Sequence, residues 1–328
     1  MRRCWWCVLL FLVFSAAVFA EPGLETPPLY TQVAGGEEDV VVPPRTTLNL
    51  LALEKGVQWQ VVARANGLEA PYRLKAGQVL RMDTSRIVPG ELAHGFIINL
   101  PELMLYYFKD GTYVRRYSLA VGKRSWPTPT GDYQIVNKKR NPTWVVPVSI
   151  QEEMEELGQE VLTLVPPGPK NPLGSYWMGT SAPGVGIHAT NRPWTVGNSV
   201  SHGCIRMLPE EIAQLFPQVE VDTPVKIIYR PIKMAITPDG RIFLEAHPNI
   251  YRWHYEAREV VEELARRYQL VGRIDWEKVP GVLKAKDGVA RDITLGPARP
   301  QPVRAGVPSR TGGEARLGPL QGQNAGLE

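Results

Sequence analysis

Between Gly95 and about Arg230 the apolar residues fall in short dense runs rather than at helical spacing, which is the pattern of buried strands. Phe96-Ile97-Ile98-Asn99-Leu100, Met104-Leu105-Tyr106-Tyr107-Phe108 and Tyr113–Val121 read as consecutive strands, with Lys109-Asp110-Gly111 as a hairpin turn between the last two. Gly131–Val136 and Val225–Tyr229 add two more. Helices are few: Gln151–Leu157, and Pro209–Phe216, where Pro209 suits a first helical position because its missing N–H has no intrahelical partner there. Residues 95–230 are thus expected to form a mainly β domain, a β-sandwich or barrel-like sheet. Residues 140–178 break the pattern with prolines and aromatics, Trp144, Tyr176 and Trp177 among them. So long an excursion inside a β domain marks a functional segment, read here as a substrate-facing lid.

On either side the periodicity changes. Val40–Val42 and Gln78–Met82 read as short strands around two helices. Thr46 or Thr47 caps the first, Leu48, Leu51 and Ala52 share its face, and Gly56 ends it; Asn66-Gly67 stops the second. This predicts a small α/β module, strand-helix-helix-strand, over 40–88. After Pro231, Met234–Ile236 and Arg241–Glu245 flank Pro238-Asp239-Gly240, and Val260, Val261, Leu264 and Tyr268 line one face of a helix over 256–269. That makes 231–295 a small accessory region. Residues 21–39, rich in Pro, Gly, Glu and Thr, read as a linker, and 296–328, without periodicity, as a disordered tail.

The first twenty residues alter the chemistry of the rest. Met-Arg-Arg, an apolar run from Cys4 to Phe14 and the small-residue end Val18-Phe19-Ala20 have the form of a signal peptide cleaved after Ala20. The apolar run is shorter than the ~20 residues of a spanning helix. The chain is therefore expected in the periplasm or cell wall, with no integral membrane segment after cleavage; an uncleaved anchor is the alternative, and it too leaves the bulk outside the cytoplasm. Cleavage takes Arg2 and Arg3, so 37 basic residues against 33 acidic become 35 against 33. So slight an excess, without a basic stripe, argues against nucleic acid as a partner. Cleavage also takes Cys4 and Cys7, leaving Cys204 as the only thiol and excluding an internal disulfide framework.

A lone exported thiol is either a reactive group or a buried hydrophobe. The surroundings of Cys204 favour the first: Gly186-Ile187-His188-Ala189-Thr190 is followed by Ser201-His202-Gly203-Cys204-Ile205-Arg206, so one histidine lies two residues before the cysteine and another sixteen before. Cysteine attacks as a thiolate and needs a base or a positive neighbour, and either histidine can serve. A His-Gly-Cys run is a natural turn, with Gly203 letting backbone N–H groups converge as an oxyanion hole. On that reading Ser201, His202 and Gly203 shape the turn, His188 is the base, and Arg206 grips a substrate carboxylate. Trp144 and Tyr176, from the lid, are candidate substrate contacts. Two other readings stand beside this one: a zinc site from His188, His202 and Cys204, and a purely structural cysteine.

The spacing of His188 and Cys204, ending in Ser-His-Gly-Cys-Ile-Arg, resembles the signature of L,D-transpeptidases of the YkuD, ErfK-like kind, and the resemblance extends over 95–230 through Ile98-Asn99-Leu100-Pro101, Thr128-Pro129-Thr130-Gly131 and Asn171-Pro172-Leu173-Gly174. One departure is Ala189, where members often carry glycine. The resemblance implies a YkuD-type β-sandwich and a peptidoglycan L,D-transpeptidase without cofactor or metal. It implies that Cys204 attacks a tetrapeptide stem, releases D-alanine through a thioester, and passes the acyl group to an amine of another stem or of a wall-anchored protein. It also implies acylation of Cys204 by carbapenems. An L,D-carboxypeptidase and a non-catalytic peptidoglycan-binding protein are the alternatives. Residues 40–88 resemble a LysM module, a binder of peptidoglycan glycan strands, through Arg64-Ala65-Asn66-Gly67 and Leu74–Leu80. Pro43-Pro44-Arg45-Thr46 stands where that family usually has Gly-Asp before the threonine, and a spacer that no longer binds sugar is the alternative there.

Overall fold

The computed structural model describes residues 27–296. The expected signal peptide, and the tail from residue 297 onward, lie outside the described residues.

The chain opens with β1 (Leu29–Tyr30), β2 (Val33–Ala34) and β3 (Glu37–Val41), followed by α1 (Leu48–Glu54), α2 (Trp59–Ala65), β4 (Val79–Asp83) and β5 (Arg86–Ile87). Thr47 caps α1, its hydroxyl accepting from Leu50 N at 3.2 Å. With that end fixed, Leu48, Leu51 and Ala52 bury against Val62 of α2 and Leu80 and Met82 of β4. Asn66, just past α2, donates to the carbonyls of Val62 and Arg81 and accepts from Arg81 N, tying the helix end to β4. β3 and β4 pair antiparallel, so the elements stand in the order the pattern predicts.

The central domain contains β6 (Gly95–Asn99), β7 (Met104–Lys109), β8 (Thr112–Gly122), β9 (Gly131–Arg140), β10 (Trp144–Val145), α3 (Val148–Glu156), β11 (Leu164–Val165), β12 (Tyr176–Thr180), β13 (Gly186–His188), β14 (Ser199–Ser201), β15 (Ile205–Met207), α4 (Pro209–Leu215) and β16 (Pro224–Ile228). Nine of these strands form one sheet in the order β14-β8-β15-β13-β12-β9-β16-β6-β7. β7 also pairs with β8, so the sheet closes on itself as a barrel-like sandwich. Its interior is filled by alternate residues such as Ile98, Leu105, Leu119, Met178, Ile187 and Ile205, and Ile212 and Leu215 of α4 close one end. β10, α3 and β11 belong to the segment between β9 and β12, called the lid below.

Glu211 lies on the buried face of α4, with one carboxylate oxygen unpartnered among the described residues and Arg115 3.9 Å from the other. Burial pushes its carboxyl up to about 7 from 4.5, against the pull of Arg115. As pH rises from 4.5 to 7 the unfolded chain releases this proton before the folded one does, so stability falls across that window and stays low above it. Glu211→Gln, which cannot ionise, is therefore expected to match the wild type at pH 4 and exceed it at pH 8, by up to about 3 kcal/mol. Denaturant titrations at the two pH values check this.

The accessory region consists of β17 (Ile232–Ile236), β18 (Ile242–Ala246), α5 (Ala257–Arg267), α6 (Val279–Ala285) and β19 (Arg291–Asp292). It has its own core, in which Val261 and Leu264 of α5 and Val282 of α6 pack on Met234 and Leu244. Its sheet runs β1-β17-β18-β19, and this corrects the reading of 21–39 as a linker: Leu29 and Tyr30 pair parallel with Met234 and Ala235, and β2 pairs with β5. Composition misled because these backbone groups find partners far along the chain, those of Leu29 and Tyr30 on Met234 and Ala235 and those of Val33 and Ala34 on Ile87 and Arg86.

One buried ion cluster joins the three parts. Lys233, fully buried on β17, places Nζ 3.0 Å from carboxylate oxygens of Glu102 and Glu245 and donates to Ile87 O at 2.5 Å. His247 Nε2 donates to Glu245 at 2.6 Å. Burial alone would raise the carboxyl of Glu245, but Lys233 and His247 hold it well below the usual range. Glu102, Glu245 and His247 point ligand atoms at one spot, yet the ammonium of Lys233 already lies among the carboxylates.

Candidate active site

Strand alternation builds the site. In the ladder β12-β13-β15, Trp177 stands opposite His188, and His188 opposite Arg206. Since Met178, Ile187 and Ile205 point into the core, the residues between them turn outward, and Trp177, His188 and Arg206 form one row across three strands. Cys204, two residues before Arg206, opens onto this face and is half-buried. Gly186 makes room in the row: a Cβ there would lie 2.3 Å from the indole of Trp177.

The turn before the thiol is braced from several sides. Gly203 has φ +99°, a conformation that L side chains avoid. Its carbonyl accepts from the Thr128 hydroxyl at 2.9 Å, and Thr128 N in turn donates to the hydroxyl of Tyr251 at 3.1 Å. Ser201, buried, donates its hydroxyl to Cys204 O. The Cys204 thiol donates to Gly184 O at 3.4 Å in this state, rather than to an imidazole. Burial pushes the thiol up from its usual range, while a hydrogen bond from the Gly186 backbone and the nearby Arg206 guanidinium pull the other way. It rests as a thiol, and a base is needed to make it a nucleophile.

His188 has the properties of such a base. It is 3 % exposed, and Nδ1 lies 2.5 Å from Ala189 O. A carbonyl only accepts, so Nδ1 carries the proton and Nε2 is left with its lone pair. The orienting partner is therefore a backbone carbonyl, and among the described residues no carboxylate bonds to the ring. Burial pushes the imidazole down to about 4, with Ala189 opposing and Arg206 adding to the shift, so it is neutral at neutral pH. The Trp177 ring stacks beside it at 6.0 Å and 24°. Ala189, the departure from the usual glycine, is accommodated by Gly174, where a Cβ would come within 2.6 Å of the Ala189 methyl.

Arg206 is half-buried and held only loosely, by Thr195 Oγ1 at 3.4 Å, while its buried Nε has no partner among the described residues. Arg192 lies close enough to lower the guanidinium's pKa, after burial itself. Two neighbouring guanidiniums with spare donors suit an anion.

The remaining expected residues divide. His202 stands in the turn, and its ring turns toward the lid, where Nε2 meets Glu153, while Trp126 from the β8–β9 connection packs edge-on at 5.3 Å. His188, His202 and Cys204 are consequently not gathered as one ligand set among the described residues. Trp144 lies half-buried in the β10–β11 hairpin of the lid, opposite Val165. Tyr176 is a correction. It shares its strand face with Met178, turns toward the core and packs on Phe216 at 5.0 Å. The aromatic beside His188 is Trp177, one residue on, because successive strand residues face opposite sides. Lys123 and Glu153, both beside His202, carried no motif. Asn171 is fully buried, donates to the carbonyls of Pro142, Val165 and Pro166 and accepts from Leu173 N, so it pins the two ends of the lid together. Its place in Asn-Pro-Leu-Gly was the one available signal.

Residues 93–227 match the family model described as the L,D-transpeptidase catalytic domain, YkuD. A probable L,D-transpeptidase ErfK/SrfK of Salmonella typhimurium is 30% identical over 301 residues, covering 88% of this chain and 95% of that protein. The probable L,D-transpeptidase YcfS of Escherichia coli is 33% identical over 250 residues, covering 73% and 78%. Among solved structures, the catalytic domain from the E. faecium L,D-transpeptidase is 28% identical and covers 42% of this chain and 100% of that one, with a TM-score of 0.33.

Proposed function

Because this chain belongs to the L,D-transpeptidase family, acyltransferases with a cysteine nucleophile, we propose that Cys204 is its nucleophile and His188 its general base in the cross-linking of peptidoglycan stem peptides. The observation that carries this reading is the outward row of Trp177, His188 and Arg206 with Cys204 opening onto the same face, and a neutral imidazole held by Ala189 O.

The chemistry follows from those groups. Nε2 of His188 takes the thiol proton as Sγ attacks the carbonyl before the terminal D-alanine of a tetrapeptide stem. The backbone N–H groups of the Ser201–Cys204 turn stabilise the developing oxyanion. Collapse breaks the C–N bond, the D-alanine amine leaves with the proton from His188, and a thioester remains on Cys204. An amine of a second stem, or of a wall-anchored protein, then attacks the thioester, gives its proton to His188 and restores the thiol. Arg206, with Arg192 beside it, holds a carboxylate of the stem, and Trp177 walls the His188 side.

The N-terminal module is proposed to hold the enzyme on glycan strands. Its groove of about 500 Å³, lined by Thr47, Asn49, Trp59 and Tyr72, offers an aromatic pair and side-chain amide and hydroxyl groups. Among the described residues no helix is long and apolar enough to cross a membrane. The compartment that matches this substrate is the periplasm or cell wall.

Incubation with tetrapeptide muropeptides, followed by mass spectrometry, tests the reaction. Cross-linked dimer with release of D-alanine is expected. Tripeptide and D-alanine alone would make the enzyme an L,D-carboxypeptidase and overturn the transferase reading.

A further inference from the structure

The lid touches both halves of the site. At its end, Leu173 and Gly174 pack on the His188 side, with the Leu173 backbone carbonyl accepting from the imidazole and Gly174 against Ala189. On the Cys204 side, α3 reaches the barrel through Glu153. One carboxylate oxygen accepts from Lys123 Nζ at 2.8 Å, the other from His202 Nε2, and Lys123 Nζ lies 3.1 Å from that same nitrogen. Lys123 follows the end of β8, and His202 stands two residues before Cys204.

This contact matters because α3 has little else to hold it. None of its residues is fully buried, and Ile150 and Met154, its apolar pair at i,i+4, are only half-buried, so apolar packing seats the helix weakly. The hydrogen bonds from Lys123 and His202 hold the Glu153 carboxyl below its usual range, so it is ionised and both bonds are charge-assisted. Two donors on separate segments of the barrel converge on one lid carboxylate, next to the turn that carries the nucleophile.

We propose that Glu153 is a positioning residue that latches the lid over Cys204 by bridging Lys123 and His202, and that the closed lid keeps water from the thioester so that an amine resolves it. The proposal rests on the assignment of Cys204 as the acylated residue. A thioester facing bulk water is hydrolysed, whereas a covered one waits for an acceptor that enters with binding energy of its own. The latch therefore sets the ratio of transfer to hydrolysis without touching the reacting atoms.

The test uses the full chain with Glu153→Ala and the near-isosteric Glu153→Gln. Two quantities are read: the ratio of tripeptide to cross-linked dimer from tetrapeptide muropeptides, and the rate of Cys204 alkylation by a bulky maleimide relative to iodoacetamide. Both are expected to rise about tenfold in the alanine variant, as for loss of a part-exposed charge-assisted pair. The glutamine variant, which keeps an acceptor without the charge, should fall between, and it stands in for the alanine variant if that one fails to fold. Product and alkylation ratios within twofold of the wild type would overturn the latch. Failure of the wild type to form any acyl-enzyme would instead overturn the assignment of Cys204, and the alkylation ratio, which needs no catalysis, would still decide whether Glu153 holds the lid.

Discussion

Cys204→Ser is expected to fold normally and to lose D-alanine release by at least about 10⁴-fold. A serine hydroxyl ionises far less readily than a thiol, and a His188 held down to about 4 is too weak a base to activate it. The fold should tolerate the change, because Sγ is half-buried and makes a single long hydrogen bond, to Gly184 O. A melting temperature within about 2 °C of the wild type accompanies this expectation. Intact mass after carbapenem treatment supplies the chemical check: one adduct on the wild type and none on the variant. An adduct on Cys204→Ser, or wild-type turnover by it, would place the nucleophile elsewhere.

His188→Gln is expected to cost about 10²- to 10⁴-fold in kcat/KM, the range for loss of a general base. In the wild type, kcat/KM should fall as pH drops through about 4, where the imidazole takes a proton on Nε2 and can no longer accept one from the thiol. A midpoint near 6.5 would mean an imidazole open to water during the reaction. Stability gives an independent reading. Since burial depresses the folded value below the ordinary 6.5, the unfolded chain binds this proton first as pH falls, and the wild type loses stability between about 6.5 and 4. The loss has an upper size of about 3 kcal/mol. The glutamine variant lacks the term, so its stability relative to wild type should improve from pH 8 to pH 5, while its activity stays low at both. Kinetic and denaturant measurements on one pair of proteins thus separate the base from a merely structural histidine.

As candidates these two residues were legible in the sequence because they stand in a short motif, and Gly203 between His202 and Cys204 marks a turn wherever the chain goes. The runs at Phe96–Leu100, Met104–Phe108 and Tyr113–Val121 were legible for a related reason, since strand burial depends on local alternation and Asp110-Gly111 dictates the hairpin. The choice between Tyr176 and Trp177 was not. Both are large aromatics in one strand, and only the register of β12 against β13 decides which of them faces His188. Glu153 was beyond reach as well: it is one of several acids on α3, and nothing local distinguishes the one that meets Lys123 and His202.

The sequence by itself determined the strand runs of 96–121, the two helices after Val42, Cys204 with its two neighbouring histidines, and the family to which their spacing points, because each depends on neighbours within a few residues or on a compact motif. Tertiary structure alone decided that Leu29 and Tyr30 complete a sheet begun at Ile232, that a backbone carbonyl orients His188, and that a lid carboxylate rests on the turn carrying Cys204. Those outcomes depend on hydrogen-bond partners brought together by chain closure. A backbone donor or a carboxylate looks the same in sequence whichever distant partner satisfies it.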